Sequence, residues 1–243
     1  MTYRNMFALY KKELQFYLNN PIGYIVIVLF GVFANFLFVK DIFLYGSASL
    51  RPFFDILPWL MMVFVPAVAM RTFSEEKKNN TIEILLSLPI SETQIVLAKF
   101  FALLTIVAVG LLLTLSLPVS LYFLVTTTGS RIYIPELLIG YLGQIFMAAA
   151  FLSLSMFYSS QTKNQIIAFL ASVITIFFLI IFSTDFVASF LPFIIQTGLA
   201  YLSPITQVGA LSKGVVDIRA VYYFLSFIIV FLFLTIIDVE RRD

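Results

Sequence analysis

No cysteine and no histidine occur in the 243 residues. Disulfides, thiol nucleophiles and the usual zinc and haem ligands are thereby excluded. No G-x-x-x-x-G-K followed by Ser or Thr occurs either, so the chain has no P-loop with which to hold ATP. Charge is scarce: 12% of residues are Asp, Glu, Lys or Arg, against roughly 25% in soluble domains. The net charge of +2 is too small to point to nucleic acid. What fills the space is apolar. With 61% hydrophobic residues the chain reads as an integral membrane protein with no room for a large soluble domain. Its 28 phenylalanines suit a lipid-facing exterior and a packed bundle interior alike.

The order of apolar runs sets the organisation. Residues 1–20 read as an amphipathic helix, with Tyr3, Phe7, Tyr10, Leu14, Tyr17 and Leu18 on one stripe. Arg4, Lys11, Lys12 and Glu13 lie mostly opposite, which suits a helix resting in the headgroup layer. No signal-peptide pattern is found, so the first span is expected to act as an uncleaved anchor. Residues 21–243 then form one transmembrane domain. Its spans are expected at about 21–39, 52–70, 95–126, 135–160, 165–184 and 221–237, the first being long enough for a core of ~30 Å. Pro58 and Pro66 should kink the second span, and Pro118 can bend the third. Asp55 and Trp59 are placed near the outer interface. Gly140, Gly143 and Ala148 to Ala150 allow close helix contact in the fourth. Residues 186–212 are uncharged but broken by Pro192, Gln196, Gly198, Pro204 and Gly209, and read as a re-entrant or interfacial hairpin.

Lys and Arg set the orientation. With six spans and both ends cytoplasmic, ten of the 15 basic residues fall inside and five outside. If 186–212 crossed instead, the count would stay the same, so this rule fixes the N-terminus and leaves the C-terminus open.

The densest charge lies between the second and third spans, from Arg71 to Pro89. Ser74 is expected to cap a short helical turn, with Glu75 and Glu76 at favoured acidic positions. Asn80 is expected to cap a second helix over Thr81–Leu88, with Glu83 as capping-box partner, and Ser91 with Gln94 to open the third span. Ile82, Leu85 and Leu86 form an apolar ridge, which either seats in a partner groove or packs on the chain's own helix ends. Inside the spans Asn35 and Gln144 are candidate polar contacts, with interhelical hydrogen bonding or substrate contact as their uses. Asp185, at a span end, either snorkels to water at the outer interface or serves proton or cation coupling.

These residues carry a resemblance. The chain resembles ABC-2 type transporter permeases, the membrane half of ATP-binding-cassette exporters of the ABCG-like architecture. The match runs through Lys12-Glu13 and Asn20-Pro21 before the first span and Arg51-Pro52 before the second. It continues through Arg71, Glu75-Glu76-Lys77, Thr81-Ile82-Glu83-Ile84-Leu85-Leu86, Pro89-Ile90-Ser91, Val96 and Lys99. Within the family it is most similar to gliding-motility-associated permeases, with the nitrous-oxide-reductase maturation permeases a related group. Asn79-Asn80 departs from the family's pattern, which has Gly before the Thr; Asn tolerates the same left-handed turn.

The resemblance implies an all-α membrane protein with six transmembrane helices, an N-terminal interfacial helix, a cytoplasmic coupling helix within segment 71–94 and an external re-entrant hairpin. It assigns ATPase coupling to Arg71, Glu75, Glu76, Lys77, Thr81, Ile82, Glu83, Leu85, Leu86 and Pro89. It implies partners: an ATP-binding-cassette ATPase subunit that carries the ATP, and a second permease half, identical or not. The chain itself needs no cofactor and sits in the bacterial cytoplasmic membrane, surrounded by lipid. Two other classes stand beside this reading. One is a membrane anchor or assembly platform whose charged island binds a protein without ATPase activity. The other is a polytopic membrane enzyme, which the missing polar catalytic cluster disfavours.

Overall fold

The computed structural model describes residues 2–45, 50–86, 90–116, 118–120, 123, 134–181 and 192–240. Among them all regular structure is helical. The elements are α1 (Thr2–Asn19), α2 (Pro21–Tyr45), α3 (Arg51–Ala69), α4 (Ser74–Lys78), α5 (Ile82–Leu86) and α6 (Glu92–Leu113). They continue with α7 (Ile134–Gln161), α8 (Gln165–Ile181), α9 (Phe193–Leu202), α10 (Pro204–Leu211) and α11 (Ile218–Glu240). Four stretches are long and apolar enough to cross a membrane: Arg51–Lys78, Glu92–Ser120, Ile134–Gln161 and Ile218–Glu240. The α1–α2 pair, bent by 69°, can supply a fifth, and α8 is apolar over 17 residues. The chain is a multi-pass helical membrane protein.

The helix limits follow local chemistry. Pro21 starts α2 and Pro52 lies in the first turn of α3, where a missing N–H costs nothing. α2 runs past the expected limit at 39, through Lys40 and Asp41, and so shortens the following loop. α6 begins at Glu92, earlier than expected, and carries Lys99 in its third turn. Its regular part stops in a turn at Thr114–Leu115. Pro118, four residues on, cannot donate to the Thr114 carbonyl and clashes with it, which explains the break there.

α7 is the centre of the bundle, packing against α3, α6, α8, α10 and α11. Small residues make this possible. A Cβ on Gly140 would lie 2.5 Å from the Phe54 ring, and one on Gly143 would lie 2.9 Å from Leu211 and 3.1 Å from Val208. Ala148, Ala149 and Ala150 are buried beside them. The buried Ser153, Ser155 and Ser160 donate to carbonyls three or four residues back on their own helix, so no hydroxyl is stranded. α3 shows the same economy. Pro58 removes the N–H that Phe54 O would accept, and Gln144 Nε2 of α7 donates to that carbonyl instead, at 3.1 Å.

The rotation of α1 departs from the expected stripe. Leu9 and Tyr17 are buried and Met6, Tyr10 and Leu14 pack beside them, whereas Phe7 is 66% exposed and Leu18 52%. Tyr3's side chain lies outside the described set. Glu13, assigned to the polar face, instead points inward against α6. The reason is an ion pair that outweighs the aromatic pattern, as shown below.

Two ends of the bundle are recognisable. At one, Arg71 meets Gln165 and Lys77 meets Asp238. At the other, Arg51 lies 3.8 Å from Glu136. Gly214, at φ +78°, sits so close to the start of α7 that a Cβ would be 2.9 Å from Glu136 N. Of the segment expected as a hairpin, 186–212, residues 192–212 are described and form two short helices broken at Ser203–Pro204. It ends at this second end of the bundle.

Gly140→Ala should destabilise the protein by about 1–3 kcal/mol, because the Phe54 ring is held by Phe53 and Tyr141 and cannot retreat. A lowered thermal midpoint of the detergent-solubilised protein would show it.

Candidate functional site

The charged island folds into an elbow after α3. A helix end leaves carbonyls without intrahelical partners, and here four hydroxyls take them. Tyr17 Oη of α1 donates to Val68 O at 3.4 Å. Thr72 Oγ1 donates to Ala69 O at 2.7 Å. Met70 O accepts from Ser159 Oγ of α7 at 2.9 Å and from Ser74 Oγ.

The start of α4 is capped from another helix. Ser159 Oγ accepts the backbone N–H groups of Phe73 and Ser74 at 3.1 and 3.2 Å. The expected cap, Ser74, is the first residue of α4, and its hydroxyl is turned back onto Met70. The reason is burial: Ser74 is inaccessible, and Ser159 is aimed at the same N–H groups from across the interface. Glu75 and Glu76 stand in the first turn of α4 and Lys77 and Lys78 in the last, the arrangement the helix dipole favours.

Asn80 takes φ 55°, the one positive value among described non-glycine residues, so it makes the left-handed turn expected at this position. It is not the cap of α5. Thr81 stands there, with its carbonyl accepting the Leu85 N–H at 3.1 Å, because Asn80 is used for the turn. α5 is shorter than the expected 81–88. Residues 87–89, and so Pro89, lie outside the described set. Ser91 occupies the N-cap of α6 with extended backbone, but its side chain makes no cap hydrogen bond.

Exposure divides the coupling candidates. Thr81 and Glu83 are exposed, as are the neighbouring Lys78, Asn79 and Asn80; Ile82 is half-buried, and Leu85 is buried in the chain's own hydrophobic cluster. Leu86's side chain is outside the described set. The outer edge of the elbow is therefore polar, and Leu85 packs inward.

Beneath that edge lies the feature that the candidate residues did not include. Lys99, on α6, is 2% exposed. Its Nζ donates to Glu76 Oε1 at 2.8 Å, Glu13 Oε1 at 3.0 Å and the Thr72 carbonyl at 3.2 Å. The Phe73 ring centroid is 5.4 Å away. All three ammonium donors are used, and the acceptors come from α1, the end of α3 and α4. Two carboxylates and one ammonium leave the group one negative charge, and Glu76 Oε2 is buried without a hydrogen-bond partner. A cleft of about 210 Å³ opens beside it, lined by Lys12, Glu13, Arg71, Glu75, Glu76 and Lys99. The signal in the sequence was the isolation of Lys99 just before a long uncharged run. An ionisable group at a span end needs a partner, and only the fold shows that Glu13 is one.

Other members of the island spread the elbow's contacts. Arg71 lies 3.9 Å from Glu75 and donates to Gln165 Oε1 at 3.2 Å. Lys77 pairs with Asp238 of α11 at 3.4 Å. The candidate intramembrane residues stand apart. Asn35 Nδ2 donates to Ser116 Oγ at 3.2 Å, Gln144 serves the Phe54 carbonyl, and Asp185 lies outside the described residues. Among the described residues no group of three or more His, Cys, Asp or Glu is placed to hold a metal ion. The elbow links several helices mechanically and has a polar outer edge.

Two comparisons bear on identity. The profile of a family described as ABC-2 family transporter protein matches residues 21–183. No curated protein matches the chain.

Ser159→Ala should cost about 1–3 kcal/mol, since it strands two buried N–H groups, and amide exchange at Phe73 and Ser74 should speed up. Lys99→Met should cost about 3–5 kcal/mol, because it leaves two carboxylates facing each other without a cation. Thermal unfolding in detergent separates the two by size.

Proposed function

The chain belongs to the ABC-2 transporter family, whose membrane domain is not itself catalytic and works with an ATPase, and we propose that it is the permease half of an ATP-driven exporter. Segment 71–94 is the part that receives the motor. The observation that carries this reading is the elbow itself: a segment fixed by Lys99 of α6, Ser159 of α7, Gln165 of α8 and Asp238 of α11 that presents a polar edge outward. A segment fixed at so many points passes a displacement into the bundle, where a loose loop would absorb it. Because α3 runs into the elbow and α6 leaves it, a push there tilts both spans. ATP bound by the partner closes the ATPase subunits, the elbow shifts, and a path between two permease halves alternates its access.

The bias of Lys and Arg supports a cytoplasmic elbow. The Lys77–Asp238 pair brings the last turn of α11 beside the elbow, which supports a C-terminus on the same side and six spans. The described residues 192–212 then return to the outer face, as the Gly214–Glu136 contact favours. The bacterial cytoplasmic membrane is the matching location. The finer assignment, an exporter linked to gliding motility, rests on the likeness of the island and of the segments before the first two spans.

The exposed edge gives the test. Glu83→Lys reverses a charge on that edge without touching the buried cluster. The ATPase recovered with the tagged chain from mild detergent should fall about tenfold, the equivalent of ~1.4 kcal/mol. Undiminished recovery would sink the assignment of the edge, and a stable partner without a P-loop would favour the anchor reading.

A further inference from the structure

Lys99 is saturated. Its three ammonium protons go to α1, to the end of α3 and to α4, and it rises from α6 itself. One buried side chain thus joins the interfacial helix, the elbow and the third span at a single point. The joint is hard to slide. A buried ammonium that loses one carboxylate keeps its charge with too little compensation, so parting the group is costly. Tyr17 adds a second tie from α1 to the end of α3, one turn beyond Glu13. α1 in turn feeds α2 through the 69° bend at Asn20, with the Gly23 backbone packed on the Tyr17 carbonyl. α2 then packs on α6, where Gly110 faces Phe30 and Ile27.

We infer that Lys99 is a positioning residue that makes α1 and the elbow move as one rigid body, so that the ATPase drives the first span through α1 as well as the second and third through the elbow. The inference rests on the coupling role proposed above. Packing alone does not require it, because α1 also meets α6 through the Tyr10–Thr105 hydrogen bond at 3.0 Å and could keep that contact while the elbow moved. The Glu13–Lys99–Glu76 bridge is what forbids relative motion of α1 and α4.

The absence of cysteine makes the test direct. Spin labels are placed on the exposed faces of α1 and α4 with Gln15→Cys and Lys78→Cys. A second pair, Lys78→Cys with Ile134→Cys, refers the elbow to the far end of the central helix. The full chain, with the ATPase that copurifies with it, is measured by pulsed electron resonance without nucleotide and trapped with ATP and vanadate. The Lys78–Ile134 distance should shift on trapping while the Gln15–Lys78 distance holds. Lys99→Met alone leaves two unpaired carboxylates, so the comparison uses Glu13→Gln/Glu76→Gln/Lys99→Met, which removes all three charges together. In that variant the Gln15–Lys78 distance should change by about 2 Å or more on trapping, the scale of helix shifts in switching proteins. A Gln15–Lys78 distance that changes with the bridge intact, or stays equally fixed without it, overturns the role of Lys99 and leaves the coupling role standing. An elbow that never moves against Ile134 in a labelled chain that still recovers the ATPase, or no ATPase recovered with the unsubstituted chain, overturns the coupling role and this inference with it.

Discussion

A buried ammonium must be surrounded by anionic or carbonyl oxygen, and the need of Lys99 organises one end of this molecule. Removing such an ion from water costs several kcal/mol unless partners with good geometry replace the hydration. Glu13, Glu76 and the Thr72 carbonyl do so at 2.8–3.2 Å. Satisfying them sets the rotation of α1, fixes where the chain turns after α3, and holds α4 over the start of α6. Hydrophobic packing by itself would accept several rotations of α1, since aromatic residues occur on more than one of its sides.

The same logic recurs wherever the backbone is interrupted. Pro58 orphans the Phe54 carbonyl, and Gln144 supplies a donor from α7. The end of α3 orphans Val68 and Met70, and Tyr17 and Ser159 supply donors from α1 and α7. The start of α4 orphans two N–H groups, and Ser159 accepts both. In an apolar setting each open backbone group demands a protein partner, so each break in a helix becomes a tie between helices. On the coupling role proposed for the elbow, such ties leave a displacement there no slack segment in which to dissipate.

Much of this was legible before the fold was known. Apolar runs marked the helices of the bundle, and the small residues Gly140, Gly143 and Ala148–Ala150 marked the tight face of α7, because both are local consequences of composition. The left-handed turn at Asn80 was legible from residue type. The caps were not. Ser74 is a good local candidate, but Ser159, 85 positions away in sequence, does the work. Glu13 was read as solvent-facing because helical periodicity ranks residues by polarity and has no knowledge of a buried cation on another helix. The ridge with Leu85 was open to a partner groove or to the chain's own helix ends, and tertiary packing turned Leu85 inward.

The sequence by itself determined the class of the molecule: a multi-pass helical membrane domain with a charged, ordered interruption and no ATP site. Those properties depend on composition, on periodicity and on which residues can adopt a given turn. The tertiary structure alone decided which charges meet, which face of α1 turns inward, and which groups remain outside for a partner. It also brought the last turn of α11 beside the elbow, where basic-residue counting left two topologies level. Pairings of this kind join residues 23 to 161 positions apart. Their energies depend on burial and distance, and neither quantity exists until the chain has folded.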